Sequence, residues 1–162
     1  MATPLGYTRL QIILHWIAVL VILQQFIFHE SIAHAWDAIR DGQTPAFDPL
    51  VLAHVIGGAL VLLLVLWRLA IKARRGAPAM VGENPLQRAL ARIVHLGLYL
   101  VMILLPVSGA VAWFGGNETA GEGHEVLKAV ILALVALHVL GAVYHQFVLK
   151  DGLMDRMRRP AE

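Results

Sequence analysis

AVILALVALHVLGAVYHQFVL, residues Ala129 to Leu149, runs for 21 positions between Lys128 and Lys150 without a charged side chain. A helix needs ~20 apolar residues to cross ~30 Å of hydrocarbon. Three more stretches read the same way. Leu10 to His29 holds 20 residues between Arg9 and Glu30, Pro49 to Trp67 holds 19 between Asp48 and Arg68, and Ile93 to Asn117 holds 25 between Arg92 and Glu118. Buried helices of a soluble protein would be shorter and carry one polar face. The sequence therefore predicts an all-α integral membrane four-helix bundle. Its helices fall at about 10–29, 49–71, 90–114 and 124–149, within one domain spanning residues 1–162.

Composition excludes the other classes. The 162 residues are 59% hydrophobic and 15% charged, with a mean hydropathy of +0.70. A soluble domain is nearer ~45–50% apolar and ~25% charged. In water so small a chain would expose large apolar patches, and disorder is incompatible with so few charges. The absence of cysteine removes disulfides, iron–sulfur clusters, thiolate zinc sites, thiol catalysis and thioether-attached haem. With a net charge of only +2, no nucleic-acid partner is expected.

Lysine and arginine set the orientation. Arg9, Arg68, Lys72, Arg74, Arg75, Arg88, Arg92, Lys150, Arg156, Arg158 and Arg159 fall on the side shared by both termini, and only Arg40 and Lys128 on the other. Both termini are thus expected in the cytoplasm of a multi-pass bacterial inner-membrane protein. The outer connections carry Glu30, Asp37, Asp41, Asp48, Glu118, Glu122 and Glu125, an acidic face. Ala33-His34-Ala35 fits a signal-cleavage pattern, but the apolar run before it exceeds the ~7–15 residues of a signal core, so the first helix is expected to be retained.

Eight histidines against eleven acids is the anomaly. His15, His54, His95, His138 and His145 lie in or at the edge of spans, with His124 at the start of the fourth. One such histidine is as readily an interhelical hydrogen bond as a functional group. Together they point to chemistry, because the span centres hold almost no Ser, Thr, Asn or Gln. His124 and His138 are 14 residues apart, ~21 Å along a helix and close to one face. His15 lies towards the cytoplasmic end of the first helix and His54 towards the outer end of the second. Two histidines on opposite sides of a flat macrocycle are what six-coordinate haem iron needs, and two stacked haems would use all four. Gly57 and Gly58 after His54, and Gly141 after His138, leave room for a porphyrin or for plain helix packing. Zinc would want three or four ligands at one depth, often as H-x3-H, and no such pair occurs. A cation transporter would keep a carboxylate at mid-membrane, and all four spans lack Asp and Glu.

These residues resemble a known family. Arg9-Leu10-Gln11-Ile12 leading to His15-Trp16, His54 with its glycines, Trp67-Arg68-Leu69, and His124-Glu125-x-Leu127 followed by His138 and His145 are similar to the bacterial cytochrome b561 family. So are Ile93-x-His95-Leu96-Gly97 with Tyr99, and Leu105-Pro106-Val107-x-Gly109. The resemblance covers nearly the whole chain and implies two haems b, with iron held by His15 and His138 on the cytoplasmic side and by His54 and His124 outside. Depth alone reads differently. His15 is six residues from Arg9, ~9 Å, and His138 twelve from Lys150, ~18 Å, so His145 matches His15 better and stands as the alternative inner ligand.

Arg9 and Arg68 are placed to pair with haem propionates, although for Arg68 the positive-inside rule alone is a sufficient reason. Lys128, one turn below His124, is a candidate for the outer mouth. His95 and His145 are candidates for handling protons or binding a quinone, and no residue is assigned to catalysis outright. The resemblance further implies superoxide oxidation at the outer face and reduction of ubiquinone. Against it, the outer segments set two cations against seven acids, a formal −5, which opposes steering of an anion. The alternative is a quinol-linked cytochrome b, or a haem-bearing membrane subunit, exchanging electrons with an outer-face redox protein.

Overall fold

The structure is a computed structural model that describes residues 6–78 and 84–161. Among the described residues the chain is all helical: α1 Arg9–Ile27, α2 His29–Arg40, α3 Pro49–Arg75, α4 Pro85–Gly115 and α5 Glu118–Tyr144. A π-helical turn, His145–Leu149, continues α5, and a 3-10 turn follows at Leu153–Met157. Four segments are long and apolar enough to cross a membrane: α1, α3, α4, and α5 with its π turn. Part of the basic α3–α4 connection, residues 79–83, lies outside the described residues.

Caps, rather than the last charge, set where the helices begin. Thr8 and Gln11 form a reciprocal capping box at α1. Asp48 and Asn84 each accept the backbone N–H two residues on, ahead of a proline at the first helical position. Asn117 caps α5 through Ala120 N–H at 2.8 Å. These side-chain oxygens satisfy N–H groups that the helix itself leaves free. α4 and α5 therefore start several residues before the expected 90 and 124, and α3 runs on to Arg75. Gly116, left-handed at φ 61°, permits the tight α4–α5 turn.

The first helix stops at Ile27, and after Phe28 the chain restarts as α2, which the charge-free windows did not reveal. Ile32, Ala35, Trp36 and Ile39 recur at helical spacing; Ala35 is buried, and the Trp36 ring lies against Gly121 of α5. α2 packs on α3, α1 on α3, α3 on α4 and α4 on α5. Leu14, Ala18 and Leu64 form the core between α1 and α3. No polar side chain among the described residues is fully buried, whereas Leu20, Leu63, Leu96 and Leu140 are each more than 60% exposed. Apolar side chains facing outward fit a hydrocarbon solvent. The two described ends of the chain meet: Ala161 N–H bonds to Tyr7 C=O at 3.0 Å, and Trp16 Nε1–H to Met157 C=O at 3.1 Å.

Candidate functional site

Histidines from four helices meet in two places. His15 of α1 faces His138 of α5 with ring centroids 6.2 Å apart. His54 of α3 faces His124 of α5 at 6.5 Å. Each ring nitrogen is ~1.1 Å from its centroid and a metal–imidazole bond is ~2.0–2.1 Å, so two rings ligating one metal from opposite sides stand ~6.3 Å apart. Both pairs meet that spacing. Their planes cross at 62° and 65°, an angle that rotation about a shared axis leaves free. His95 of α4 stands only 5.1 Å from His138, too close to share a metal in that way. Among the described residues no group of three or more His, Cys, Asp or Glu could hold a metal ion, so the fold offers pairs rather than the cluster zinc needs.

The orientation of His124 is built by α4. Its Nδ1 lies 3.0 Å from the Leu105 carbonyl and 3.2 Å from Ser108 Oγ, and Ser108 itself donates to Leu105 C=O at 3.0 Å. A carbonyl only accepts, so Nδ1 carries the hydrogen and Nε2 keeps its lone pair, the arrangement a metal-ligating imidazole needs. Gly109 makes the approach possible, because a Cβ there would sit 3.1 Å from the ring. The partner Leu105 was invisible to sequence reasoning, since every residue carries a carbonyl. His54 Nδ1 is buried without a partner among the described residues.

At the end of the molecule where the described chain ends meet, Arg68 is close enough to act electrostatically on His15, His95 and His138, and its Nη1 is buried without a partner among the described residues. A buried guanidinium N–H left unpaired is costly, and a haem propionate is the kind of acceptor it lacks. Arg9, by contrast, is exposed and lines a surface groove with Ile12, Ile13, Arg158 and Pro160. His145 does not face His15; its Nδ1 bonds to Asp151. At the opposite end Lys128 Nζ lies 2.6 Å from both Glu125 Oε2 and His29 Nε2. The glycines divide. Gly57 is filled by Gln24 and Gln25 of α1, so it serves helix packing, whereas an added Cβ at Gly58 or Gly141 would meet nothing within 4 Å.

Comparison with known proteins gives the family. The family model described as prokaryotic cytochrome b561 matches residues 6–160. A protein named cytochrome b562 from Cereibacter sphaeroides is 40% identical, over 96% of both chains. One named "Probable superoxide oxidase CybB" from Yersinia pestis is 29% identical over 93% of this chain and 94% of its own. Cytochrome b561 homolog 1 of Escherichia coli is 27% identical over 93% and 96%. With paired histidines on long apolar helices and a match along nearly its whole length, the chain belongs to the prokaryotic cytochrome b561 family, membrane cytochromes that carry electrons on haem b.

Proposed function

We propose that the chain is a transmembrane electron conduit of the bacterial inner membrane, oxidising superoxide at its outer face and reducing ubiquinone towards the cytoplasm. The single domain is a four-helix bundle with both termini cytoplasmic. The observation that carries this reading is the pair of histidine pairs, at 6.2 and 6.5 Å, on three helices, α1, α3 and α5. His15 and His138 hold the inner haem b, His54 and His124 the outer one. Bound there, each iron supplies a reversible one-electron carrier. The rest is the work of the protein. Leu105 fixes the tautomer of His124, Arg68 is the propionate partner, and the apolar helices keep water from both irons. Each superoxide leaves as dioxygen after giving up one electron; two electrons and two protons convert ubiquinone to ubiquinol. His95 and His145 handle the quinone and its protons, and Lys128 lies at the outer mouth.

A second reading has its own support. The outer segments carry a formal −5, and Lys128 is bound to Glu125. A basic redox protein suits that face better than an anion does, which favours a quinol-linked cytochrome b or a haem-bearing subunit of a larger complex. Pyridine haemochrome quantitation of the purified protein tests the shared premise. Two non-covalent haems b per chain are expected, and one or none would defeat both versions.

A further inference from the structure

In a regular α-helix, residues 145 and 151 would stand ~9 Å apart along the axis and on different faces. Here the backbone widens into the π turn at His145–Leu149 and bends through left-handed Lys150 (φ 53°) and Gly152 (φ 73°) into the 3-10 turn. Lys150 is the one non-glycine residue with positive φ among those described. Such π turns recur at functional sites. The result is that Asp151 Oδ2 meets His145 Nδ1 at 2.5 Å, while Oδ1 accepts Leu153 N–H at 3.1 Å. The two side chains are only 13% and 20% exposed. Burial pushes the Asp151 carboxyl up, but the hydrogen bonds from His145 and Leu153 outweigh it and hold the group below the usual carboxylate range. An ionised carboxylate only accepts, so His145 carries its hydrogen on Nδ1 and presents Nε2. The same turn leaves a cavity of about 270 Å³ lined by Gln146, Phe147, Lys150, Gly152 and Asp155. Phe147 is 69% exposed.

We propose that Asp151 is the positioning residue of the quinone site. Its bond to Nδ1 leaves Nε2 as the nitrogen that gains a proton, and once protonated Nε2–H donates to a quinone carbonyl oxygen, so that His145 relays the protons that the reduced ring takes up. This rests on the quinone reading above. In each pass Nε2 takes a proton from water at the inner face, the imidazolium stands against the Asp151 carboxylate, and Nε2–H is handed to the ring oxygen. Two passes, with two electrons from the one-electron donor at the outer end, turn quinone into quinol and return the pair to its starting state.

The test uses the haem-loaded protein in lipid nanodiscs with decylubiquinone as probe. Loss of an orienting partner costs ~10–100-fold in activity. Asp151→Asn is therefore expected to slow reoxidation of the pre-reduced protein ~10–100-fold, chiefly in kcat, with haem content unchanged, and Asp151→Glu to recover most of it. Histidine-selective 15N NMR of wild type should give a downfield Nδ1 proton that disappears in His145→Gln and in Asp151→Asn. A rate within twofold of wild type in Asp151→Asn, no recovery in Asp151→Glu, or no such proton in wild type would overturn the proposal. If Asp151→Asn fails to hold haem, the wild-type NMR signal decides. His145→Gln separates the two levels: normal quinone turnover in that variant removes the quinone role itself, whereas slow turnover there beside a normal Asp151→Asn removes only the role of Asp151.

Discussion

A histidine in a membrane helix can cap, bridge or ligate, and what decides is its second nitrogen. For His124 the Leu105 carbonyl takes the Nδ1 hydrogen, which leaves the Nε2 lone pair available, with the His54 ring 6.5 Å away. Alanine at His54 or His124 is therefore expected to halve the haem content and leave the inner haem's spectrum in place, and alanine at His15 or His138 to do the reverse. His145→Ala should keep both haems, since that ring is engaged by Asp151 rather than opposed to His15. Haemochrome counts and redox difference spectra of the five variants check this. A variant at position 145 that lost the inner haem, beside a His138→Ala protein that kept it, would reverse the assignment. The two-depth pattern was legible in the 14-residue spacing of His124 and His138. Depth measured from terminal charges favoured His145 instead, because it treated Lys150 as the end of a straight helix. In the structure the ring that faces His15 is that of His138, while His145 lies in a π turn and bonds to Asp151. Partners such as Leu105 C=O, and Asp151 across a bent backbone, leave no mark in a linear pattern.

Helices in lipid have no hydrophobic driving force to associate and depend on close van der Waals packing, which small residues permit. Three glycines set that approach around α5 and the outer pair: Gly97 against Leu134, Gly109 against the His124 ring and Gly121 against Trp36 of α2. At Gly109 a Cβ would stand 3.1 Å from Cε1 and 3.2 Å from Nδ1 of His124. Gly109→Val should push the ring off its carbonyl, with overpacking worth ~1–3 kcal/mol, and the outer haem should be lost while the inner stays. Gly123→Ala, where an added Cβ meets nothing, should retain both. Equal haem content in the two variants would show that the α4–α5 distance is not set at Gly109. The four long helices were legible from charge-free length alone. α2 was not, because a search for uninterrupted apolar runs passes over an amphipathic helix that holds Glu30, Asp37 and Arg40 among its apolar positions. Its Ile32, Ala35, Trp36 and Ile39 spacing is the signal that would have found it.

Over the whole molecule, cations gather at the end where the chain termini meet, and acids at the other. The segments read as outer carry a formal −5, and Lys128, the cation nearest His124 in sequence on that side, is 17% exposed and bound to Glu125. Two substrates would feel this differently. If superoxide is the donor, it must reach the outer haem against the net field, so local positive charge at Lys128 governs the rate. Haem reduction by a superoxide source should then be abolished by superoxide dismutase and slowed by Lys128→Glu, which sets a second acid beside Glu125. Added salt should slow it further, because a screening length of ~10 Å at 0.1 M weakens the attraction of a single buried-edge cation. That is the expected outcome. If the acidic end instead receives a basic redox protein, superoxide is an incidental reductant repelled by the same charges. Its reaction would be slow at low salt, faster as salt screens the repulsion, and nearly indifferent to Lys128→Glu. Stopped-flow reduction rates across a salt series, in wild type and Lys128→Glu, read the sign of that slope directly, and a positive slope in wild type would transfer the assignment to the quinol-linked cytochrome.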